Sequence, residues 1–145
     1  MKKAADILTE FGVDYKAYII SAHRAGALLK KTVEEVEKDG CQVIIAGAGL
    51  AAALPGVIAG ITTLPVIGVP LECVSDKSNG LGGMDALLSI VQMPPQIPVA
   101  TVGINSAKNA AYLALQILAL QDAELSQKMK EFRASLVESA GETSF

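Results

Sequence analysis

Short, largely apolar runs recur along this chain, each trailed by a segment with helical spacing, and that alternation most constrains the fold. The runs are Cys41–Ala46, Leu64–Val69 and Val99–Ile104, rich in valine and isoleucine and bounded by glycine, proline or polar residues. Runs of this length with no polar alternation fit strands covered on both faces. Tyr15–Ile20 is a fourth candidate. Between Tyr15–Ile20 and Cys41–Ala46, Leu28, Leu29, Val33 and Val36 form an apolar stripe on a charged helix that stops at Asp39-Gly40. Strand and helix in alternation argue for a parallel sheet sandwiched between helices, an α/β fold.

The remaining elements follow from the same periodicities. Ala4, Ala5, Ile7, Leu8 and Phe11 place an opening helix that ends at Gly12. Leu50–Ile61 reads as helical, its regular part beginning at Pro55, and Leu71–Gly83 reads as a loop. Met84–Gln92 is a helix. Asn105 or Ser106 is placed to cap a long helix running to Leu120, and Asp122 to cap a last one with Leu125, Met129, Phe132 and Leu136 on one face. No linker divides the chain, so residues 1–138 form one domain and Ser139–Phe145 a loose or swapped tail. Doubly wound domains usually begin on a central strand. This chain begins with a helix and offers only four strands.

Composition narrows the function classes. Apolar residues make up 51% and charged ones 19%, which points to surfaces hidden between subunits. No apolar run approaches a membrane span and no signal-peptide core is present, so a cytoplasmic protein is expected. A net charge of −3 without a basic block gives no surface for nucleic acid. Cys41 and Cys73 lack metal-ligand spacing and read as reduced structural thiols; no metal site is expected. Charge runs such as Glu34-Glu35 and Lys128–Glu131 read as solvated helix faces.

Two features carry chemistry. The lone histidine, His23, follows the run Tyr15–Ile20, at the carboxyl end of a candidate strand where α/β proteins keep their ligands. An imidazole there can exchange protons near neutral pH. The second feature is Gly47-Ala48-Gly49-Leu50-Ala51-Ala52, a GxGxxA pattern after a strand, with Glu72 further on. Pro55-Gly56 interrupts the helix a dinucleotide would need, and a tight turn of small residues explains the pattern equally.

Taken together, Ser21-Ala22-His23-Arg24, Val43–Gly49 with Leu54-Pro55-Gly56, Leu64–Pro70, Leu88–Pro94 and Pro98–Val102 resemble class I PurE, the carboxyaminoimidazole ribonucleotide mutases of purine biosynthesis. The similarity runs in order from Met1 to about Arg133. It implies a flavodoxin-like three-layer domain, a homo-octamer with sites between subunits, an aminoimidazole ribonucleotide-type substrate and no cofactor. It also assigns roles: His23 as the catalytic proton relay, with Ser21, Ala22, Arg24, Gly47, Ala48, Gly49, Ala53 and Leu54 holding the nucleotide. Ser89, Gln92, Met93 and Pro94 would complete a neighbouring subunit's pocket.

The departures fall on the site. The family's opening strand and its MGSxSD turn, which grips phosphate and ribose, have no counterpart here. Ala53 stands where relatives carry a histidine, Ala25-Gly26 replaces Thr-Pro, and the 71–83 segment is longer. Three readings follow: a mutase by lineage with impaired catalysis; an inactive or engineered derivative serving as an oligomeric scaffold or binding protein; and, third, an NAD-binding oxidoreductase. If the absent strand belongs between Tyr15–Ile20 and Cys41–Ala46, the sheet is expected to close by direct pairing or by some other cover.

Overall fold

A computed structural model describes residues 1–75 and 78–141. In chain order the elements are α1 (Lys2–Glu10), α2 (Gly26–Lys38), β1 (Ile44–Gly49), α3 (Leu54–Ala59), β2 (Val66–Leu71), β3 (Val74–Ser75), β4 (Ser78–Asn79), α4 (Met84–Val91), β5 (Ala100–Thr101), α5 (Ala107–Leu118) and α6 (Ala123–Gly141). The main sheet is parallel with order β1-β2-β5, as the apolar runs require. Ile44 lies opposite Val66, and Ile67 opposite Ala100.

The central strand β2 shows why these residues make a strand: Val66, Ile67 and Val69 are buried between two helical layers. Pro70 fits because the pairing with β5 ends at Gly68 and Thr101, so its missing N–H breaks no ladder bond, and its carbonyl accepts from the Asn105 N–H at 2.8 Å. On one face α1, α5 and α6 cover Val43, Ile45, Ile67 and Val69. Phe11, Tyr112 and Phe132 pack together there, Phe11 edge-on to Phe132 at 5.6 Å between centroids. On the other face α2 and α3 cover Ile44, Ala46 and Val66, while Ala86 and Ile90 of α4 meet Ala52, Ala48 and Val99. The architecture is the expected three-layer α/β sandwich.

Several expectations need correction. Tyr15–Ile20 is not a strand: the segment is extended, pairs with nothing in the sheet, and leaves Ile19 fully exposed at 104%. Nor does the sheet close, because a cleft of about 720 Å³ lies between this segment and β1. The helices hold the walls apart. α1 packs on α5 in one layer and α2 on α3 in the other, and Lys16 Nζ pairs with Asp39 at 2.7 Å, tying the segment to the end of α2.

The other differences are local. The strand runs shift to Ile44–Gly49 and Val66–Leu71, and β5 keeps only two residues of Val99–Ile104. The expected 71–83 loop contains an antiparallel hairpin, β3 with β4, whose tip at 76–77 lies outside the described residues. Leu28 of the α2 stripe is exposed, and the burial falls on Leu29, Thr32 and Val33. Neither Asn105 nor Ser106 caps α5 through its side chain, since Asn105 turns to Glu72 instead. Asp122 does cap α6: its Oδ1 accepts from the Leu125 N–H at 2.9 Å. Ala110–Leu115 is covered by α1 within the chain, so only the end of that segment, at Leu120, presents apolar surface. The last helix continues through Gly141, and residues 142–145 lie outside the described part.

Candidate active site

Ser21–Arg24 folds as a single turn that leads into α2. The Ala25 N–H donates to the Ser21 carbonyl at 2.9 Å, and the Leu29 N–H donates to Ala25 at 2.9 Å. Ala22, with Ile20, joins the apolar cluster of Leu29, Val33, Leu54 and Met93. One small side chain thus anchors the turn, while His23 and Arg24 are exposed to solvent.

The glycine turn serves its own chain first. A Cβ on Gly47 would lie 2.5 Å from the Met1 Sδ, and one on Gly49 would lie 2.9 Å from the Leu71 carbonyl and closer still to the Cys73 Sγ. Gly49, against a backbone carbonyl, therefore needs glycine before any ligand is considered, whereas at Gly47 the flexible Met1 side chain could give way. Leu50 follows with a left-handed φ of 55°, and Ala52 and Ala53 donate back to Leu50 and Ala51 at 2.8 and 2.7 Å. Helix then begins only at Leu54, with Pro55 in its first turn, and ends after six residues. Such a short, delayed helix offers little dipole to a dinucleotide pyrophosphate, so the GxGxxA pattern marks a tight turn. Ala53 is half-buried and its carbonyl starts α3 by accepting from Val57 at 2.9 Å.

Around this turn the structure gathers some of the candidates and separates others. Ala22, Leu54 and Met93 share one cluster, and Met93 also lies on Gly56, where a Cβ would sit 3.0 Å from its sulfur. Ala48 packs beside Ala52 and Ile90. Gly47 and Leu54 also line the 720 Å³ cleft; Ser21, His23 and Arg24 do not. Ser89, Gln92 and Pro94 are exposed, and the Ser89 hydroxyl donates to the Asp85 carbonyl of its own helix at 2.8 Å. Among the described residues no three His, Cys, Asp or Glu side chains cluster as a metal site requires.

Sequence reasoning passed over one arrangement at the carboxyl ends of the strands. Asn105, in the left-handed region at φ 58°, accepts from the Glu72 N–H through Oδ1 at 3.0 Å and donates from Nδ2 to the Glu72 carboxylate at 3.3 Å. It thereby ties the end of β2 to the end of β5. An asparagine just after a strand is a signal for such a left-handed corner, and it was open to be read that way.

With the geometry in place, the comparisons with known proteins are direct. Residues 1–139 match the AIR carboxylase family. The chain belongs to that family. It is 54% identical over 136 residues to the N5-carboxyaminoimidazole ribonucleotide mutase of Pyrococcus abyssi, covering 94% of this chain and 75% of that protein. The mutase of Bacillus subtilis is 48% identical over 146 residues, covering 99% of this chain and 87% of its own length. The crystal structure of Treponema denticola PurE superposes with a TM-score of 0.83 at 31% identity, over 97% of this chain and 85% of that one. The flavodoxin-like reading of the fold stands on that superposition, and the PurE resemblance on all three. No described helix is long and apolar enough to cross a membrane.

Proposed function

We propose that this chain is an N5-carboxyaminoimidazole ribonucleotide mutase of purine biosynthesis by descent, and that as given it turns over its substrate slowly. The observation that carries the first half is identity near one half with mutases across more than nine-tenths of the chain. In the proposed reaction a carboxylate leaves the exocyclic nitrogen, whose N–C bond breaks while the amine gains a proton. A carbon–carbon bond then forms at the ring, and the ring carbon loses a proton. His23 can deliver the first proton and accept the second, so the step needs no external acid, cofactor or ATP.

Ser21, Ala22, Arg24 and the Gly47–Gly49 turn hold the nucleotide, with Arg24 supplying the one cation among them. One feature supports slow turnover: Ala53, half-buried beside the glycine turn, contributes no polar group. A relay accelerates little unless the ring is held at hydrogen-bonding distance, and lost orientation forfeits several kcal/mol of barrier reduction. Met84, Leu88 and Val91, each about half exposed along α4, support a homo-oligomer, with an octamer proposed from the family and Ser89, Gln92, Met93 and Pro94 at its contacts. A cytoplasmic location belongs to the same reading.

The test is a mutase assay on three proteins: the chain as given, a version extended ahead of Met1 by a relative's opening strand and turn and carrying Ala53→His, and that version with His23→Asn. Slow or absent turnover, rescue and renewed loss are expected in that order. Near-normal turnover by the unmodified chain overturns the second half of the proposal. Full activity in the His23→Asn variant overturns the relay.

A further inference from the structure

The carboxyl ends of β2 and β5 stay joined beyond their ladder. Strand pairing stops at Gly68 and Thr101, and Asn105 carries the contact onward. Its N–H donates to the Pro70 carbonyl at 2.8 Å, its Oδ1 accepts from the Glu72 N–H at 3.0 Å, and its Nδ2 donates to the Glu72 carboxylate at 3.3 Å. The side chain thus does for Glu72 what a longer β5 would do with backbone. A left-handed φ of 58° makes this corner, and asparagine tolerates it better than most residues.

Glu72 in turn has little room to move. Gly83 packs on it: a Cβ there would lie 3.5 Å from the Glu72 Cα and 2.5 Å from the Ile104 Cγ2. The next residue, Cys73, lies on Gly49, where its sulfur leaves no space for a Cβ. The Cys73 carbonyl accepts from the Gly80 N–H at 3.3 Å, and a Cβ on Gly80 would sit 3.3 Å from the Leu50 Cδ2. Leu50 holds a φ of 55°, a conformation that leucine rarely adopts and that persists only where neighbours over-determine it. Cys73 and Gly80 are those neighbours. A chain of contacts therefore runs from Asn105 through Glu72 and Cys73 to Gly49 and Leu50, at the end of the glycine turn.

We propose that Asn105 is a positioning residue: acting through Glu72 and Cys73, it fixes the end of the turn Gly47–Gly49 on which the nucleotide rests. The nucleotide's place on that turn rests on the function proposed above, whereas the brace is a property of the unliganded protein and is tested without turnover. Backbone groups hold a ligand well only when they are in place beforehand, so a turn that wanders must be ordered at the expense of binding. Asn105 is assigned no contact with the nucleotide and works through the residues it holds.

Three variants of the full chain separate the bonds from the conformation. Asn105→Gly keeps the left-handed corner and removes both side-chain bonds. Asn105→Asp keeps the corner and sets a carboxylate against that of Glu72. Asn105→Asp with Glu72→Gln restores both bonds with donor and acceptor exchanged. Iodoacetamide alkylation of Cys73 reads the brace. Cys41, half-buried just ahead of β1 with its thiol donating to the Val43 carbonyl, is the internal reference. Calorimetry with aminoimidazole ribonucleotide reads the hold of the turn on its ligand. We expect Cys73 to react about tenfold faster in Asn105→Gly and Asn105→Asp with Cys41 unchanged, and the nucleotide to bind about tenfold more weakly in both. The exchanged pair should restore both readings. An unchanged Cys73 rate in Asn105→Gly overturns the inference, as does an equal rise at both thiols, which marks general loosening, or a failure of the exchanged pair to restore Cys73. So does nucleotide binding that is equal in the parent and Asn105→Gly. A parent that binds no nucleotide overturns the proposed function instead, and the thiol rates still decide the brace.

Discussion

The middle of the sheet and its β1 flank are built from similar residues and end in opposite states. Ile67 and Val69 of β2 are fully buried, whereas Ile19, in the run Tyr15–Ile20, is fully exposed. The difference lies in neighbours rather than in sequence. β2 has a strand on each side and a helical layer on each face, while residues 14–20 have helices at their ends and border the cleft. Apolar, β-branched residues fit a strand only where a partner strand accepts their backbone groups.

The largest test of that contrast removes side chains from both regions. Leu115→Ala, at a fully buried site where α5 meets α1, is expected to cost about 2–5 kcal/mol by urea unfolding. Ile19→Ser should stay within about 0.5 kcal/mol of the parent. Comparable losses at the two positions would break the comparison. A smaller effect sharpens it through glycines. On Gly68 of β2 a Cβ would lie 2.8 Å from Val99 and closer to Ile90, so Gly68→Ala should cost about 1–3 kcal/mol. At Gly26, beside the loose segment, nothing lies within 4 Å, and Gly26→Ala should stabilise by about 0.4–1 kcal/mol. Thermal melts would separate the two by several degrees in opposite directions.

The smallest effect concerns the tether of the flank. Lys16 has its pKa raised by the hydrogen bond and charge of Asp39. A raised folded-state value means that the pair's contribution is complete below the ordinary lysine value of 10.5 and fades as pH climbs through the higher folded value. The difference in urea midpoint between the parent and Asp39→Asn should therefore be slight at about pH 8, shrink further in salt, and vanish once the pH has passed the folded lysine's raised value. A difference that grows with pH would contradict the tether.

What could be read from the chain alone divides along the same line. The three interior runs, the helices between them and the Asp122 cap were legible because local pattern and tertiary burial agree there. Tyr15–Ile20 was misread because a strand needs a partner, and periodicity cannot show whether one is present. The hairpin at Val74–Asn79 escaped because two-residue strands leave no alternation to detect. At the site, the turn at His23 was found through residue type and position. The occupation of Gly47 by Met1 and of Gly49 by Cys73 was not, since each joins residues far apart in sequence.

The seat of Met1 has a practical side. Its sulfur rests over Gly47 and its carbonyl accepts from the Ala4 N–H at 2.8 Å, which holds the residue at the head of α1. Methionine is open to oxidation, and a sulfoxide would set a polar oxygen among the apolar walls of the cleft, so the rate at which peroxide modifies this thioether reports how firmly the seat is held.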